Sequence, residues 1–200
     1  MSGRLAQVLA AIDAAMADDP TRVTVDGSDV PYGVHYARRM SHWLARLVPE
    51  PSEPLALAVH GQHIRRWDIP RDRFPMDKPG YFAWRNTLKD HHADLIAGFM
   101  LEAGYDDDAI ARMRSIVRKE RLKRDPEAQA LEDCACLVFL ENEFAGFVAA
   151  KSDYDDEKWL GIIGKTWAKM SDAGHAEALK LVPGLPERLR DLVAKALTTS

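Results

Sequence analysis

Apolar residues recur at helical spacing along almost the whole chain. Leu5, Val8, Leu9, Ile12 and Met16 follow a 3.6-residue period and predict a first helix. Arg22–Val25 alternates, but only over four residues before the turn-forming Asp26-Gly27-Ser28-Asp29, too short a stretch to found a sheet. Pro31 suits the first turn of a second helix reaching Val48, where Pro49 and Pro51 end it. Ser52 caps a third helix expected to run through Trp67, and a loop bearing Pro70, Pro75, Pro79 and Gly80 follows. A fourth helix is expected over about Tyr81–Glu102 and a fifth from the acidic run Asp106–Asp108 to the basic run Arg118–Arg124. Asp125-Pro126 starts a sixth reaching about Ala149, and three more lie near Asp155–Met170, Ala173–Leu181 and Pro186–Leu197. The expected architecture is an all-α single domain of eight or nine helices over 1–200, with the helices of 151–200 packed on the core.

Composition narrows the class. The 200 residues are 46% hydrophobic and 29% charged, as in an ordinary globular protein able to build a core without staples. A net charge of −4 excludes a globally basic nucleic-acid coat. No apolar run approaches the roughly 18 residues that span a bilayer, and Leu5–Ile12, followed by acids, makes a poor signal peptide. A cytoplasmic protein is expected. Cys134 and Cys136 lie about 200° apart on a helix, so they cannot clasp one zinc and belong to the core.

One count changes the picture. Six of seven histidines (His35, His42, His60, His63, His91, His92) fall between positions 35 and 92, and imidazole is both a common metal ligand and an acid–base group. On the third helix, Leu57, His60, Ile64 and Trp67 share a stripe and His63 stands about 60° from it, so both imidazoles point to the apolar side. On the fourth, His91 and His92 border the stripe of Trp84, Leu88, Leu95 and Phe99, and the wheel does not choose between them. On the second, His35 falls on a flank beside Arg38. On the sixth, Leu137, Leu140, Phe144 and Phe147 all lie within about 40° of Asp133, which places its carboxylate on the most apolar face. A buried carboxylate must be paired, protonated or bound to a cation. An arginine, a helix end, a metal and a catalytic role all meet that need.

Three segments carry a resemblance: His60-Gly-Gln-His63-Ile-Arg-Arg-Trp67-Asp-Ile-Pro70-Arg71, Gly80-Tyr-Phe-Ala-Trp84-Arg85 and Leu131-Glu-Asp133-Cys-Ala-Cys-Leu-Val-Phe-Leu140. They resemble an uncharacterised domain-of-unknown-function family, some members of which bear a glutamyl-tRNA synthetase-like name. Neither adenylate-binding signatures nor a Rossmann-like alternation supports that name here. The order of features is also remotely similar to the HD-domain superfamily of metal-dependent phosphohydrolases, and implies an HD-like bundle. Carried over by position, the early ligand is His35, the doublet histidine His63 (with His60 as competitor), the intermediate one His92 or His91, and the late carboxylate Asp133. Ile64 stands where the doublet's aspartate would be, which argues for one ion, not two. That likeness implies one divalent transition metal, Zn, Fe, Mn or Ni, held by His35, His63, His92 and Asp133.

The expected activity is hydrolysis of a phosphate ester or nucleotide by a metal-activated water. Arg38, Arg65, Arg66 and Lys119 would neutralise the phosphate, and Glu132 would orient a ligand or shuttle a proton. The rivals are a non-catalytic binding or scaffold protein with a structural metal or none, an iron-dependent oxygenase on the same site, and an RNA-contacting accessory protein using Arg118–Arg124.

Overall fold

The computed structural model describes residues 2–151 and 153–198. Contacts group the chain into two compact units, Met1–Leu131 and Glu132–Ser200. Most described residues are helical, as the periodicity predicts, and among them no helix is long and apolar enough to cross a membrane.

In the first unit, α1 (Gly3–Met16) is capped by Ser2, whose Oγ accepts the Leu5 N–H at 3.2 Å, and buries Val8, Ile12 and Met16. The alternating segment does pair: β1 (Arg22–Val25) and β2 (Ser28–Pro31) form an antiparallel hairpin around Asp26-Gly27. Both turn residues have left-handed φ, 49° and 77°, the twist that a two-residue hairpin requires. Four residues suffice because the turn fixes the register and Arg22 Nε closes the pair on Asp29 Oδ2 at 2.9 Å. Pro31 therefore ends a strand and precedes α2 (Tyr32–Leu47) instead of lying in its first turn. Asp19 holds this start in place, accepting the Thr21 and Gly33 N–H groups at 2.8 Å each.

α3 covers Glu53–His60 and stops at Gly61, earlier than the expected Trp67. Two single 3₁₀ turns, Arg66–Asp68 and Arg71–Arg73, then lead to α4 (Lys78–Glu102), capped by Asp77. α5 (Asp107–Arg118), capped by Asp106, ends in a turn in which Lys119, Arg121 and Lys123 take φ of 58°, 56° and 76°. The core gathers Met40, Leu57, Ile96, Met100, Met113 and Ile116, all fully buried. His60 is part of this framework. Its Nδ1 lies 2.8 Å from Ser41 Oγ and its Nε2 2.9 Å from Asp13 Oδ1, so it ties α1, α2 and α3 together.

Gly61 explains the early stop of α3. A Cβ there would lie 2.5 Å from Ile96 Cδ1, which is itself buried, and 3.2 Å from the Leu57 carbonyl. Gly61→Ala is therefore expected to cost about 1–3 kcal/mol by overpacking. Thermal unfolding checks this, at roughly 2–4 °C per kcal/mol for a chain of this size.

The predicted sixth helix begins as α6 (Pro126–Val138), loosens into a π turn at Phe139–Glu143 and resumes as α7 (Phe144–Ala150). The second unit continues with α8 (Asp156–Trp167), α9 (Asp172–Leu181) and α10 (Glu187–Thr198). Its core sets Phe144 edge-to-face with Trp159, ring centroids 6.2 Å apart, and the thiols of Cys134 and Cys136 are buried in it.

Candidate functional site

The unwinding of α3 at Gly61 sends Gln62 and His63 off the helix. Arg65 then takes a left-handed conformation, φ 47°, and its guanidinium closes on Asp68, Nε to Oδ2 at 2.9 Å. That kink starts the 3₁₀ turn at Arg66. Across from it, α4 presents Arg85, Lys89 and His92, which share one stripe at spacings of four and seven, and the end of α5 adds Lys119. Gln62, His63, Arg66, Arg85, Lys89, His92 and Lys119 line one recess of about 20 Å³.

The two imidazoles face each other with ring centroids 6.1 Å apart, and Tyr36 of α2 stacks on His63 at 4.2 Å. His63 Nδ1 and His92 Nε2 are buried and, among the described residues, have no hydrogen-bond partner. Burial holds His63 well below the usual histidine range, and the charges of Arg66, Lys119 and Arg85 push the same way. His92 is pushed down to about 3 by burial first and then by Arg66, with the Gln62 backbone carbonyl opposing. Both rings are therefore neutral near pH 7. Burial also lowers the Arg66 pKa, and Arg85 adds to this while the tyrosines Tyr36, Tyr32 and Tyr81 oppose it; no carboxylate is among these groups. A half-buried guanidinium beside another cation costs energy until an anion arrives.

The depressed His92 value fixes the sign of a pH effect. The unfolded ring titrates near 6.5, so its contribution to stability is complete above that pH and is lost as pH falls toward the folded value of about 3. At pH 5 the loss from His92 is about 2 kcal/mol. Wild type should lose melting temperature between pH 7 and pH 5 more steeply than His92→Gln, which has no proton to gain. Parallel profiles would contradict it.

Beside the recess lies a larger cavity of about 340 Å³, walled by Tyr32, Trp67, Trp84 and Asp19 and sharing His63 and Arg66 with the recess. The Arg66 guanidinium lies over the Trp84 ring, 4.6 Å from its centroid. Trp84 is fixed in turn, because its Nε1–H donates to the Ile69 carbonyl at 2.8 Å.

Of the residues singled out from the sequence, His63, His92, Arg66 and Lys119 come together here. In the pairs left open, His60 is the structural histidine that joins Ser41 and Asp13, and His91 turns its Nε2 toward Asp68, 3.5 Å from Oδ2. His35 is half-buried on α2, Arg38 is exposed on the same helix, and Arg65 is occupied by Asp68. Arg118 of the basic run pairs with Asp90 at 2.7 Å. Asp133 and Glu132 belong to the second unit. There the Ser171 N–H donates to Asp133 Oδ1 at 2.8 Å and the Ser171 hydroxyl to Oδ2 at 2.5 Å. Ser171 is the N-cap of α9, so the buried aspartate serves a helix end. Glu132 Oε1 lies 3.7 Å from Lys169 Nζ. Sequence reasoning missed Arg85, Lys89 and Asp19; the stripe shared by Arg85, Lys89 and His92 was the signal for the first two.

A resident divalent ion needs anionic or neutral donors converging without cations among them. Among the described residues, no group of three or more His, Cys, Asp or Glu side chains is placed to hold one. The two bare imidazoles are flanked by Arg66, Arg85 and Lys119, whose charges repel a dication. The cations beside His63 and His92 thus disfavour a dication at these two rings.

Neither curated proteins nor solved structures yield a match to the chain. A family profile, Domain of unknown function (DUF4202), matches residues 6–193 and thus nearly the whole sequence, and the chain belongs to that family.

Proposed function

We propose that the protein binds a phosphate ester or nucleotide at the recess between the α3 end, α4 and the α5 end, and hydrolyses it. The observation that carries this reading is the meeting of two buried imidazole nitrogens without hydrogen-bond partners with the half-buried Arg66, beside which stands a second cation, Arg85. Arg66 and Arg85 offer planar forks that match phosphoryl oxygens, and Lys119 adds a point charge. The recess of about 20 Å³ is of a size to hold one water, and the phosphoryl group lies at its mouth beside Arg66. In the reaction that water forms the new P–O bond while the ester P–O bond breaks. Its proton passes to His63 Nδ1 or His92 Nε2, and the leaving alcohol takes a proton back. The guanidinium groups stabilise the charge that gathers on the phosphoryl oxygens.

Kinship with the HD-domain fold belongs to this reading through the order of features alone: a histidine on α2, one just past α3, one on α4. Its chemistry here runs through the chain's own imidazoles and cations. Phosphate release from p-nitrophenyl phosphate and a nucleotide panel tests it. His63→Gln should lower the rate by roughly 10²–10⁴-fold, the range of a lost general base. Phosphate binding without turnover would reduce the reading to a binding protein, and the absence of both would end it.

A further inference from the structure

We propose that the larger cavity takes a planar, amino-bearing heteroaromatic ring joined to the phosphate held in the recess, so that the ligand is of the nucleoside monophosphate class. This rests on the phosphate reading of the recess and adds a second, chemically different subsite to it. The cavity and the recess share His63 and Arg66, so one molecule can reach both. Three large aromatic side chains, Tyr32, Trp67 and Trp84, wall the cavity, and its volume of about 340 Å³ falls in the range of roughly 300–1,000 Å³ usual for small-molecule sites. Flat aromatic walls favour a flat ring over a sugar or an alkyl chain, because stacking uses the whole face. Trp84 is held by its hydrogen bond to Ile69 and carries Arg66 and Arg71 over its ring, so the stacking faces are those of Tyr32 and Trp67.

Asp19 supplies the polarity. It is 6% exposed and stands on the cavity wall, and its two oxygens are already aimed by the Thr21 and Gly33 N–H groups. A carboxylate keeps further lone pairs, which accept from a ring amino group and repel a ring carbonyl. The site therefore has an acidic wall for the ring and a basic recess for the phosphate.

Isothermal titration of the full chain with adenosine 5′-monophosphate, purine riboside 5′-monophosphate, ribose 5-phosphate, orthophosphate and adenosine tests both subsites. Adenosine 5′-monophosphate should bind about tenfold or more tightly than ribose 5-phosphate, and more tightly than purine riboside 5′-monophosphate, which lacks the amino group and has no N–H on the ring edge in its place. Trp67→Leu should remove about tenfold of the first affinity and leave ribose 5-phosphate unchanged. The comparison among ligands needs no substitution and so stands even if that variant folds poorly. If ribose 5-phosphate and orthophosphate bind as tightly as adenosine 5′-monophosphate, the ring subsite is overturned and the recess stands. If adenosine binds and orthophosphate does not, the recess reading falls and the ring subsite survives.

Discussion

Arg66→Met weakens orthophosphate binding by about 100-fold or more and leaves the melting temperature level or higher. The first half follows from the two charge-assisted hydrogen bonds that a guanidinium fork makes to phosphate, at about 1.5–3 kcal/mol each. The second half follows from what Arg66 does without a ligand. Burial and the neighbouring Arg85 both work against its charge, and it also lowers the proton affinity of His63 and His92. Methionine keeps the apolar stem against Trp84 and removes those penalties, while giving up a cation–π contact of about 1–2 kcal/mol. A residue retained for binding at the expense of stability behaves in this way. Calorimetric titration and thermal unfolding on the same sample check both halves. Retained binding together with a melting temperature lower by about 5 °C or more would make Arg66 a structural residue.

Asp133→Ala is expected to have the opposite signature: a loss of about 3 kcal/mol in stability with phosphate affinity unchanged. Asp133 is buried, and its removal strands the Ser171 N–H and hydroxyl, at about 1–3 kcal/mol for each unsatisfied group. No small side chain fills the place well, because the surroundings are shaped to the carboxylate. A Cβ on Gly174 would lie 2.8 Å from Asp133 Oδ1. Denaturant unfolding measures the loss, and elemental analysis accompanies it. One transition ion per chain in the parent, absent from both Asp133→Ala and His63→Ala, would restore the four-ligand metal centre and displace the metal-free phosphate recess.

Much of the architecture was legible because the apolar stripes are long and the caps are strong. Ser52 and Asp106, marked as helix starts in the sequence, each accept an N–H in the first turn of the helix they precede, whereas α4 starts at Lys78 behind the cap Asp77, ahead of the expected Tyr81. The wheel also placed Asp133 correctly on a buried face. It left three kinds of partner open, and the partner turned out to be a helix end 38 residues away, a distance no local pattern encodes. The α3 break at Gly61 was not legible for a related reason. The constraint is a contact with Ile96 on another helix, so the periodicity of Leu57, His60, Ile64 and Trp67 continued past a stop that only packing imposes. That break separates His60, spent on Ser41 and Asp13, from His63, which faces the recess. The hairpin was read as too short because its stability lies in the Asp26-Gly27 turn and not in strand length. Asp19 and the aromatic walls were invisible, since a cavity belongs to the assembled elements and to no single stretch of sequence.

The most direct measurement follows the histidine ring resonances through a pH titration with and without orthophosphate. Without it, the His92 ring should titrate near 3 and the His63 ring well below the usual histidine range. With millimolar orthophosphate their apparent pKa values should rise together, as the anion offsets Arg66, Arg85 and Lys119. Two rings that titrate near 6.5 and ignore orthophosphate would contradict a basic recess built to receive phosphate.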